Sequence, residues 1–271
     1  MSPAPFVFFS DLDGTLLDHD TYAWGAARPA LERLRQRRIP LVLCTSKTRS
    51  EVEPLRFQMQ NSHPFVTENG GAVFIPVRYF PFATEGAERS SDYEVIPIGT
   101  PYASLVAALE RASRASGVAV RSFSKMSDEE VAAATGLLAE QARLARQREF
   151  DEPFEIVDAG QAGALLTAIE QEGMRWTTGG RFYHIHGRND KGAAVRLLAS
   201  LYRRALGEIT TVGAGDAAND AGFLNEVDVP ILIHSPRLDR LRALVPQGRV
   251  TRLSGPAGWN ETVLALLAVG S

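Results

Sequence analysis

Short apolar runs alternate with more polar stretches along the first 75 residues of the chain. Residues 6–9 and 41–44 are continuous apolar runs, as expected of parallel strands buried on both faces. Residues 30–38, opened by Pro29, and the more polar residues 49–59 are predicted helices. Further predicted strands are 65–67 and 72–75. The alternation of strands and helices predicts a parallel α/β sheet.

The middle of the chain, residues 85–186, has a different pattern of elements. The predicted elements are, in order, strand 93–96, helix 102–116, strand 118–123, a helix from Ser127, helix 137–147, strand 154–157, helix 161–172 and strands 174–177 and 182–185. Glu130 follows Ser127 at the spacing of a capping box, which supports a helix start there. This pattern is typical of a small α+β domain with an open sheet covered by helices.

The end of the chain returns to the first pattern. The predicted elements are helix 192–204, strands 209–212, 230–233 and 249–253, and a closing helix 260–268. The predicted fold class is therefore α/β, with a doubly wound, Rossmann-like parallel sheet as its core. We expect residues 1–84 and 187–271 to form this core and residues 85–186 to form an inserted α+β domain.

Composition narrows the classes of function. A net charge of -3 gives no broad basic surface, so nucleic acid is not an expected partner. The apolar runs are strand-sized, which predicts no membrane span. Asp11 and Asp13 interrupt the early apolar stretch, unlike a signal peptide, and this favours a cytoplasmic protein. Cys44, the single cysteine, is expected to be a buried strand residue, with no disulfide and no cysteine metal site.

Two carboxylates follow the first predicted strand, in the motif Asp11-Leu12-Asp13-Gly14-Thr15-Leu16. Functional groups of doubly wound sheets collect beyond the carboxyl ends of the strands. One carboxylate can displace an alcohol from a phosphate monoester and form an acyl phosphate that water then cleaves. A second carboxylate, two residues on, can protonate the leaving oxygen and then activate the water. The motif therefore predicts phosphoryl transfer.

A second acidic motif, Gly213-Ala214-Gly215-Asp216-Ala217-Ala218-Asn219-Asp220, follows another predicted strand. Magnesium binds to a few carboxylates together with water, and it offsets the repulsion between an anionic nucleophile and a phosphate. Asp216 is the expected magnesium ligand, and Asn219 and Asp220 are expected to orient the ligands around the ion.

Candidate phosphate-binding groups lie between the two acidic motifs. Thr45, Ser46 and Lys47 end the second strand and precede a helix, where hydroxyl and backbone N–H groups can face an anion. Lys191 opens a later helix and can neutralise a transferring phosphoryl group. Only three of the 29 basic residues are lysines, and two of those three, Lys47 and Lys191, fall at these positions.

The order of these motifs resembles that of the four motifs of the haloacid dehalogenase (HAD) superfamily. The segment between the second and third motifs resembles the type 2B cap of sugar-phosphate phosphatases. Within that branch, nearly the whole chain resembles the mannosyl-3-phosphoglycerate phosphatases. The residues that carry this resemblance are Thr45-Ser46-Lys47-Thr48-Arg49, where relatives usually have Thr-Gly-Arg, Glu68-Asn69-Gly70-Gly71, the segment 148–154, and Thr178-Gly179-Gly180-Arg181-Phe182.

The resemblance implies a role for each motif. Asp11 would be the nucleophile, Asp13 the general acid and base, and Lys191 a further catalytic residue. Asp11, the carbonyl of Asp13 and Asp216 would hold Mg²⁺, the expected cofactor. The remaining site residues of the core, assigned to substrate or phosphate binding, would be Thr45, Ser46, Lys47, Glu68 and Asn69.

The inserted domain is expected to read the substrate. A glycosylated phosphoglycerate carries a carboxylate besides its phosphate, and Arg148 and Arg181 are the candidates to bind it. The acids at positions 149, 151 and 152 either bind sugar hydroxyls or cap helices and solvate the surface. His184 and His186 share one face of a strand, but no third ligand is near enough in sequence to favour zinc.

The expected reaction is hydrolysis of mannosyl-3-phosphoglycerate to mannosylglycerate, a compatible solute, by way of an aspartyl phosphate on Asp11. The expected partner is therefore a small phosphorylated glycoside, and the sequence does not indicate an oligomeric state. Alternatives are a phosphatase for another phosphorylated sugar, such as sucrose phosphate or glucosyl-3-phosphoglycerate, and a sugar phosphomutase. A binding protein without activity is disfavoured, because it has no need of a nucleophile at position 11.

Overall fold

The computed structural model describes residues 4–179 and 182–269 and contains two β-sheets. The larger sheet has nine strands in the spatial order β13-β12-β11-β1-β2-β3-β4-β6-β5. In chain order, these strands are β1 (Phe6–Ser10), β2 (Leu41–Cys44), β3 (Phe65–Thr67), β4 (Ala72–Pro76), β5 (Glu88–Ser90), β6 (Tyr93–Pro97), β11 (Thr210–Gly215), β12 (Val229–His234) and β13 (Arg249–Ser254). The run from β13 to β3 is parallel, and β4, β6 and β5 add an antiparallel edge.

The smaller sheet is antiparallel throughout, in the order β7-β8-β10-β9. Its strands are β7 (Val120–Ser122), β8 (Asp151–Ile156), β9 (Arg175–Gly179) and β10 (Phe182–His186). The helices of the chain are α1 (Arg28–Gln36), α2 (Arg49–Gln58), α3 (Tyr102–Ser116), α4 (Asp128–Thr135), α5 (Ala139–Ala145), α6 (Ala162–Gln171), α7 (Lys191–Leu206), α8 (Ala221–Leu224), α9 (Leu238–Leu244) and α10 (Gly255–Val269).

The larger sheet is covered on both faces, as its apolar strands predict. Side chains of β1 alternate between the faces: Val7 and Phe9 join a cluster with Leu198 of α7, and Phe8 joins one with Leu34 of α1 and residues of α10. The doubly wound α/β fold is thereby confirmed. Residues 4–179 and 182–269 include no helix with the length and apolar character that a bilayer crossing requires.

One prediction about the inserted segment is wrong. The strand predicted at 93–96 forms as β6, but it pairs with β4 and not with the smaller sheet. β5, which was not predicted, extends the same edge of the larger sheet. The pattern of a strand shows that it is extended but not which distant strand it pairs with. The larger sheet thus takes in residues assigned to the insertion, and the division of the chain at 84/85 stays a prediction.

Cys44 lies in the middle of the larger sheet, at the end of β2. Its side chain is fully buried, as predicted. Burial raises the pKa of the Cys44 thiol far above its ordinary value, because the thiolate would be desolvated.

Candidate active site

Three polar segments meet at the carboxyl ends of neighbouring strands. Asp11 follows β1, Thr45 follows β2 and Asp216 follows β11. β1 lies between the other two strands, and the chain winds away from it in both directions. This edge is therefore the switch point of the sheet, the position where doubly wound folds bind their ligands.

Three carboxylates form a buried cluster at this switch point. The side chains of Asp11, Asp216 and Asp220 each offer an oxygen within 4.8 Å of the others. Burial, and then the charge of Asp220, raises the pKa of Asp11 well above its ordinary value and that of Asp216 to about 6. Hard oxygen donors that repel one another in a dry site favour a divalent cation such as Mg²⁺. The residues present therefore fit the predicted ion.

Lys191 lies against this cluster. Its Nζ is 2.9 Å from Asp11 Oδ1 and 2.7 Å from Asp220 Oδ1, and only 1% of its side chain is exposed. Burial alone would lower the pKa of Lys191, but the two carboxylates outweigh it and raise the pKa above its ordinary value. The cation is placed at the start of α7, where the Asp190 side chain caps the helix by accepting from Gly192 N. The predicted lysine thus contacts the predicted nucleophile.

Asp220 also holds the loop that carries Asp216. Its Oδ2 accepts hydrogen bonds from the backbone N–H groups of Asp216 and Ala217, both at 3.1 Å. Arg237 Nη2 lies 3.0 Å from Asp216 Oδ2. The sequence did not predict Arg237, because it lies outside the four motifs, in the connection between β12 and α9.

The glycine of the first motif is required by this arrangement. Gly14 has φ +80°, and a Cβ there would lie 2.7 Å from Asp216 Oδ2. A side chain at this position would displace the carboxylate, so only glycine allows the two acidic motifs to meet.

Asp13 points to a different neighbour. Its Oδ2 is 3.0 Å from Lys47 Nζ, which also lies 3.8 Å from Glu51 Oε1 and over the ring of Tyr22. One third of the Asp13 side chain is exposed, and its Oδ1 has no hydrogen-bond partner among the described residues. Asp13 is therefore outside the three-carboxylate cluster, and its buried Oδ1 is left without a partner among the described residues.

The loop after β2 is a capped helix start. Thr45 is fully buried, and its Oγ1 accepts from Lys47 N. Thr48 and Glu51 form a capping box at the start of α2. The loop therefore presents Ser46 and Lys47 at a helix N-terminus beside Asp13, as expected of an anion site.

The turn formed by residues 68–71, which we call the linking turn, joins this edge to the inserted segment. Glu68 is fully buried and accepts hydrogen bonds from Glu149 N at 2.9 Å and Phe150 N at 2.8 Å. Burial raises the pKa of Glu68 to about 8. Asn69 Oδ1 accepts from the exposed Asn219. Glu68 therefore binds the backbone of the segment before β8, and Asn219 donates a hydrogen bond to the linking turn.

The linking turn also packs against the start of α7. Gly70 has φ +91°, and a Cβ there would lie 2.2 Å from the carbonyl carbon of Asp190. Asn189 Nδ2 donates to the carbonyl oxygens of Glu68 and Phe150. Asn189 therefore joins the linking turn to the segment before β8, and Gly70 lets the same turn pack against the start of α7.

Of the two arginines predicted to read the substrate, Arg148 reaches the active-site edge. Its Nη1 donates to the Ser46 carbonyl at 3.1 Å and its Nε to the Ala145 carbonyl at 2.8 Å. Arg181 lies outside the described residues. Arg148 therefore joins the inserted segment to the loop after β2.

The fold and this set of side chains define a haloacid dehalogenase-like hydrolase, and the family of that description matches residues 8–81. A haloacid dehalogenase-like hydrolase from Bacteroides thetaiotaomicron has a similar structure, with a TM-score of 0.70 and 14% identity over 97% of this chain and all of the other.

Two relatives are closer in sequence. The glucosyl-3-phosphoglycerate/mannosyl-3-phosphoglycerate phosphatase of Methanococcoides burtonii is 40% identical over 96% of this chain and 97% of its own length. The mannosyl-3-phosphoglycerate phosphatase of Pyrococcus furiosus is 35% identical over 84% of this chain and 90% of its own. The chain belongs to this family of glycosyl-3-phosphoglycerate phosphatases and is a phosphoric monoester hydrolase of the HAD superfamily.

Proposed function

We propose that the protein hydrolyses mannosyl-3-phosphoglycerate to mannosylglycerate and phosphate, in the synthesis of a compatible solute. The observation that carries the chemistry is the buried contact of Lys191 with Asp11 inside the cluster of three carboxylates. The substrate is supported by the names of both relatives, and the name of one adds glucosyl-3-phosphoglycerate as a second candidate. From composition, we propose that the enzyme acts in the cytoplasm, without nucleic acid or membrane.

The proposed reaction begins at Asp11. A carboxylate oxygen of Asp11 attacks phosphorus, the bond from phosphorus to the glycerate oxygen breaks, and an aspartyl phosphate forms. Asp13 donates a proton to the leaving oxygen and then accepts one from the water that cleaves the aspartyl phosphate. One third of its side chain is exposed and its buried Oδ1 is unpaired, which suits a group that exchanges a proton with the leaving alcohol and with water.

Positive charge is proposed to come from two directions. Lys191 neutralises charge on the nucleophile, and Lys47 with Ser46 and Thr45 binds the phosphate from the entrance. Asp11 and Asp216, with the Asp13 carbonyl, would hold Mg²⁺, which supplies further charge for the phosphoryl group; Asp220 and Asn219 would orient these ligands.

Metal dependence has a direct test. Exhaustive chelation should abolish phosphate release, and added Mg²⁺ should restore it. Calorimetric titration of the metal-free protein with Mg²⁺ should show one site, which Asp216→Asn weakens. Full activity after chelation, with no measurable binding of Mg²⁺, would contradict the metal role of the cluster.

The substrate is tested by phosphate release from a panel of phosphorylated compounds. The panel includes mannosyl- and glucosyl-3-phosphoglycerate, sucrose phosphate and simple sugar phosphates. The two glycosyl-phosphoglycerates should have the highest kcat/KM, with stoichiometric release of inorganic phosphate. Transfer of phosphate back to a sugar would instead identify a phosphomutase, and a preference for sucrose phosphate would overturn the proposed substrate.

We also propose that the residues between β6 and α7 form the cap that reads the leaving group. The smaller sheet and its helices are joined to the larger sheet through the contacts of Glu68 and Arg148. This proposal moves the start of the inserted domain from residue 85 to after residue 97, because β5 and β6 pair within the larger sheet.

A further inference from the structure

The two faces of the smaller sheet differ in character. On one face, Phe154 and Ile185 pack in a buried cluster with Leu105 of α3 and Leu165 of α6. Side chains alternate along a strand, so His184 and His186 project from the other face. Asp151 lies directly opposite His186 in the pairing of β8 with β10 and therefore shares that face. Neither α3 nor α6 covers this polar face.

Asp151 and His184 form a hydrogen-bonded pair on the polar face. Asp151 Oδ1 is 2.8 Å from His184 Nδ1, and 1% of the Asp151 side chain is exposed. Burial alone would raise the pKa of Asp151, but His184 and Arg148 outweigh it and hold the pKa below its ordinary value. A carboxylate that stays ionised keeps the proton of His184 on Nδ1 and fixes the orientation of the ring. Nε2 is then directed away from Asp151.

The polar face is linked to the catalytic edge at the end where β8 begins. Phe150, the residue before β8, donates to Glu68 of the linking turn. Arg148 donates to the carbonyl of Ser46, in the loop that presents Lys47 to Asp13. These two contacts place the start of β8, where Asp151 lies, next to the catalytic edge.

The polar face has one ring that is partly exposed and one buried ring atom without a hydrogen-bond partner among the described residues. His184 is 17% exposed, so a bound molecule can reach its ring. His186 is 91% buried, with 9% exposed, and its Nε2 has no hydrogen-bond partner among the described residues. Buried polar atoms of folded proteins are normally paired, so an unpaired one points to a partner that comes from outside the chain.

We infer that His184 recognises the carboxylate of the leaving group with both ring nitrogens protonated, so that Nδ1–H donates to Asp151 and Nε2–H donates to the substrate carboxylate. This inference rests on the proposed function, because it requires a substrate whose alcohol half is an acid. A carboxylate is favoured over a hydroxyl because Arg148 lies on the same side and Arg175 of β9 pairs directly opposite His186. Asp151 acts as a positioning residue and does not touch the substrate.

The test pairs a change in the protein with a change in the substrate. His184→Phe, which removes the donor and keeps a ring, should lower kcat/KM for mannosyl-3-phosphoglycerate by about 10- to 100-fold, mainly through KM, as expected for a hydrogen bond to a charged group. For the analogue with a carboxamide in place of the carboxylate, the same variant should lose no more than a few-fold, on the order of a neutral hydrogen bond. Hydrolysis of p-nitrophenyl phosphate should be unchanged, which also shows that the variant is folded.

Two further variants complete the design. Asp151→Asn should reproduce the selective rise in KM, because the ring of His184 is then no longer fixed. Tyr183→Phe changes the neighbouring residue on the opposite face of the strand and should affect none of the three substrates. A measurement without variants is inhibition of the wild-type enzyme by mannosylglycerate, which should exceed inhibition by its carboxamide by a similar factor.

The outcomes separate this inference from the proposed function. Equal losses by His184→Phe on the acid and on the carboxamide, with both hydrolysed by the wild type, would overturn the role of His184 alone. Wild-type enzyme that releases no phosphate from either glycosyl-phosphoglycerate would overturn the proposed function and this inference together.

Discussion

The larger sheet places the acids of its candidate active site just beyond the ends of its parallel strands, whereas the smaller sheet carries the pair of Asp151 and His184 within its strands. Asp11 and Asp216 each follow a parallel strand and are held by cations within hydrogen-bond distance. Asp151 and His184 are members of neighbouring antiparallel strands and hold each other. The first pair lies at the strand ends, and the second lies on the face opposite to that covered by α3 and α6.

This difference indicates a division of work. The strand ends of the larger sheet bring together one reactive carboxylate, one cation and a cluster of oxygen donors, all of which serve any phosphate monoester. On the proposed function, the polar face of the smaller sheet would meet only the part of the substrate beyond the phosphate. Substitutions in the two regions should therefore separate loss of chemistry from loss of selectivity.

The largest effect is expected at the nucleophile. Asp11→Asn should lower kcat by about three orders of magnitude or more for every substrate, because it removes the covalent path. Substrate binding should persist, since Lys191 keeps its contact with Asp220. Single-turnover kinetics and calorimetric binding measure the two properties. Trapping of a phosphoryl group on another residue of the wild-type enzyme would contradict the assignment.

Asp13→Asn should have the next largest effect, about 10²- to 10⁴-fold on the natural substrate, as is usual for loss of general acid and base. An activated leaving group such as p-nitrophenolate needs little protonation, so formation of the aspartyl phosphate should be partly rescued. Burst-phase measurements distinguish the two steps. Equal losses on good and poor leaving groups would show that Asp13 serves chiefly to hold Lys47.

A smaller and selective effect is expected at Arg148. Arg148→Ala should raise KM for a glycosyl-phosphoglycerate by about 10- to 150-fold, the range for loss of a charge-assisted hydrogen bond, and leave p-nitrophenyl phosphate hydrolysis nearly unchanged. Arg143→Ala is the matched control, because Arg143 lies on α5 and pairs with Glu140 at the surface. If both substrates suffer equally, Arg148 acts through its contact with Ser46 rather than on the leaving group.

The smallest effect concerns the linking turn, where the two regions meet. Gly70→Ala should destabilise the fold more than Gly86→Ala, although both residues have positive φ, +91° and +73°. The left-handed backbone costs about 1–2 kcal/mol at either site. At Gly70 the new Cβ would also meet the backbone of Asp190, adding about 1–3 kcal/mol, whereas at Gly86 nothing lies within 4 Å. Denaturant unfolding of both variants measures the difference in the free energy of unfolding. Equal losses of stability would show that the linking turn shifts to accommodate the new Cβ.

The catalytic edge could be predicted well from sequence because its information is local. The acidic motifs each directly follow a buried strand, and parallel strands end at the same edge, so Asp11 and Asp216 had to lie close together. Lys191 was predicted from its position and from the scarcity of lysine. Arg237 was not predicted, because nothing in the sequence distinguishes it from the other arginines; its contact with Asp216 depends on the fold.

The inserted segment could be predicted only in part, because its structure depends on pairing between distant strands. The strand at 93–96 was found but assigned to the wrong sheet. Strand β8 begins at Asp151, three residues before the predicted start at 154. The residues Asp151-Glu152-Pro153 are charged or proline and do not have the apolar pattern that predicts a strand. The partnership of Asp151 with His184 joins residues on two strands and follows from their register, which no local pattern reveals.

The burial of Cys44 has a practical consequence for measuring motion between the two sheets. The thiol is inaccessible, and burial keeps it in the unreactive protonated form, so labelling reagents should leave it untouched. Cysteines introduced at exposed positions, one beside each sheet, can therefore carry a pair of fluorescent dyes without replacement of the native residue. The distance between the dyes would then report, in single molecules, whether the smaller sheet moves toward the catalytic edge during turnover.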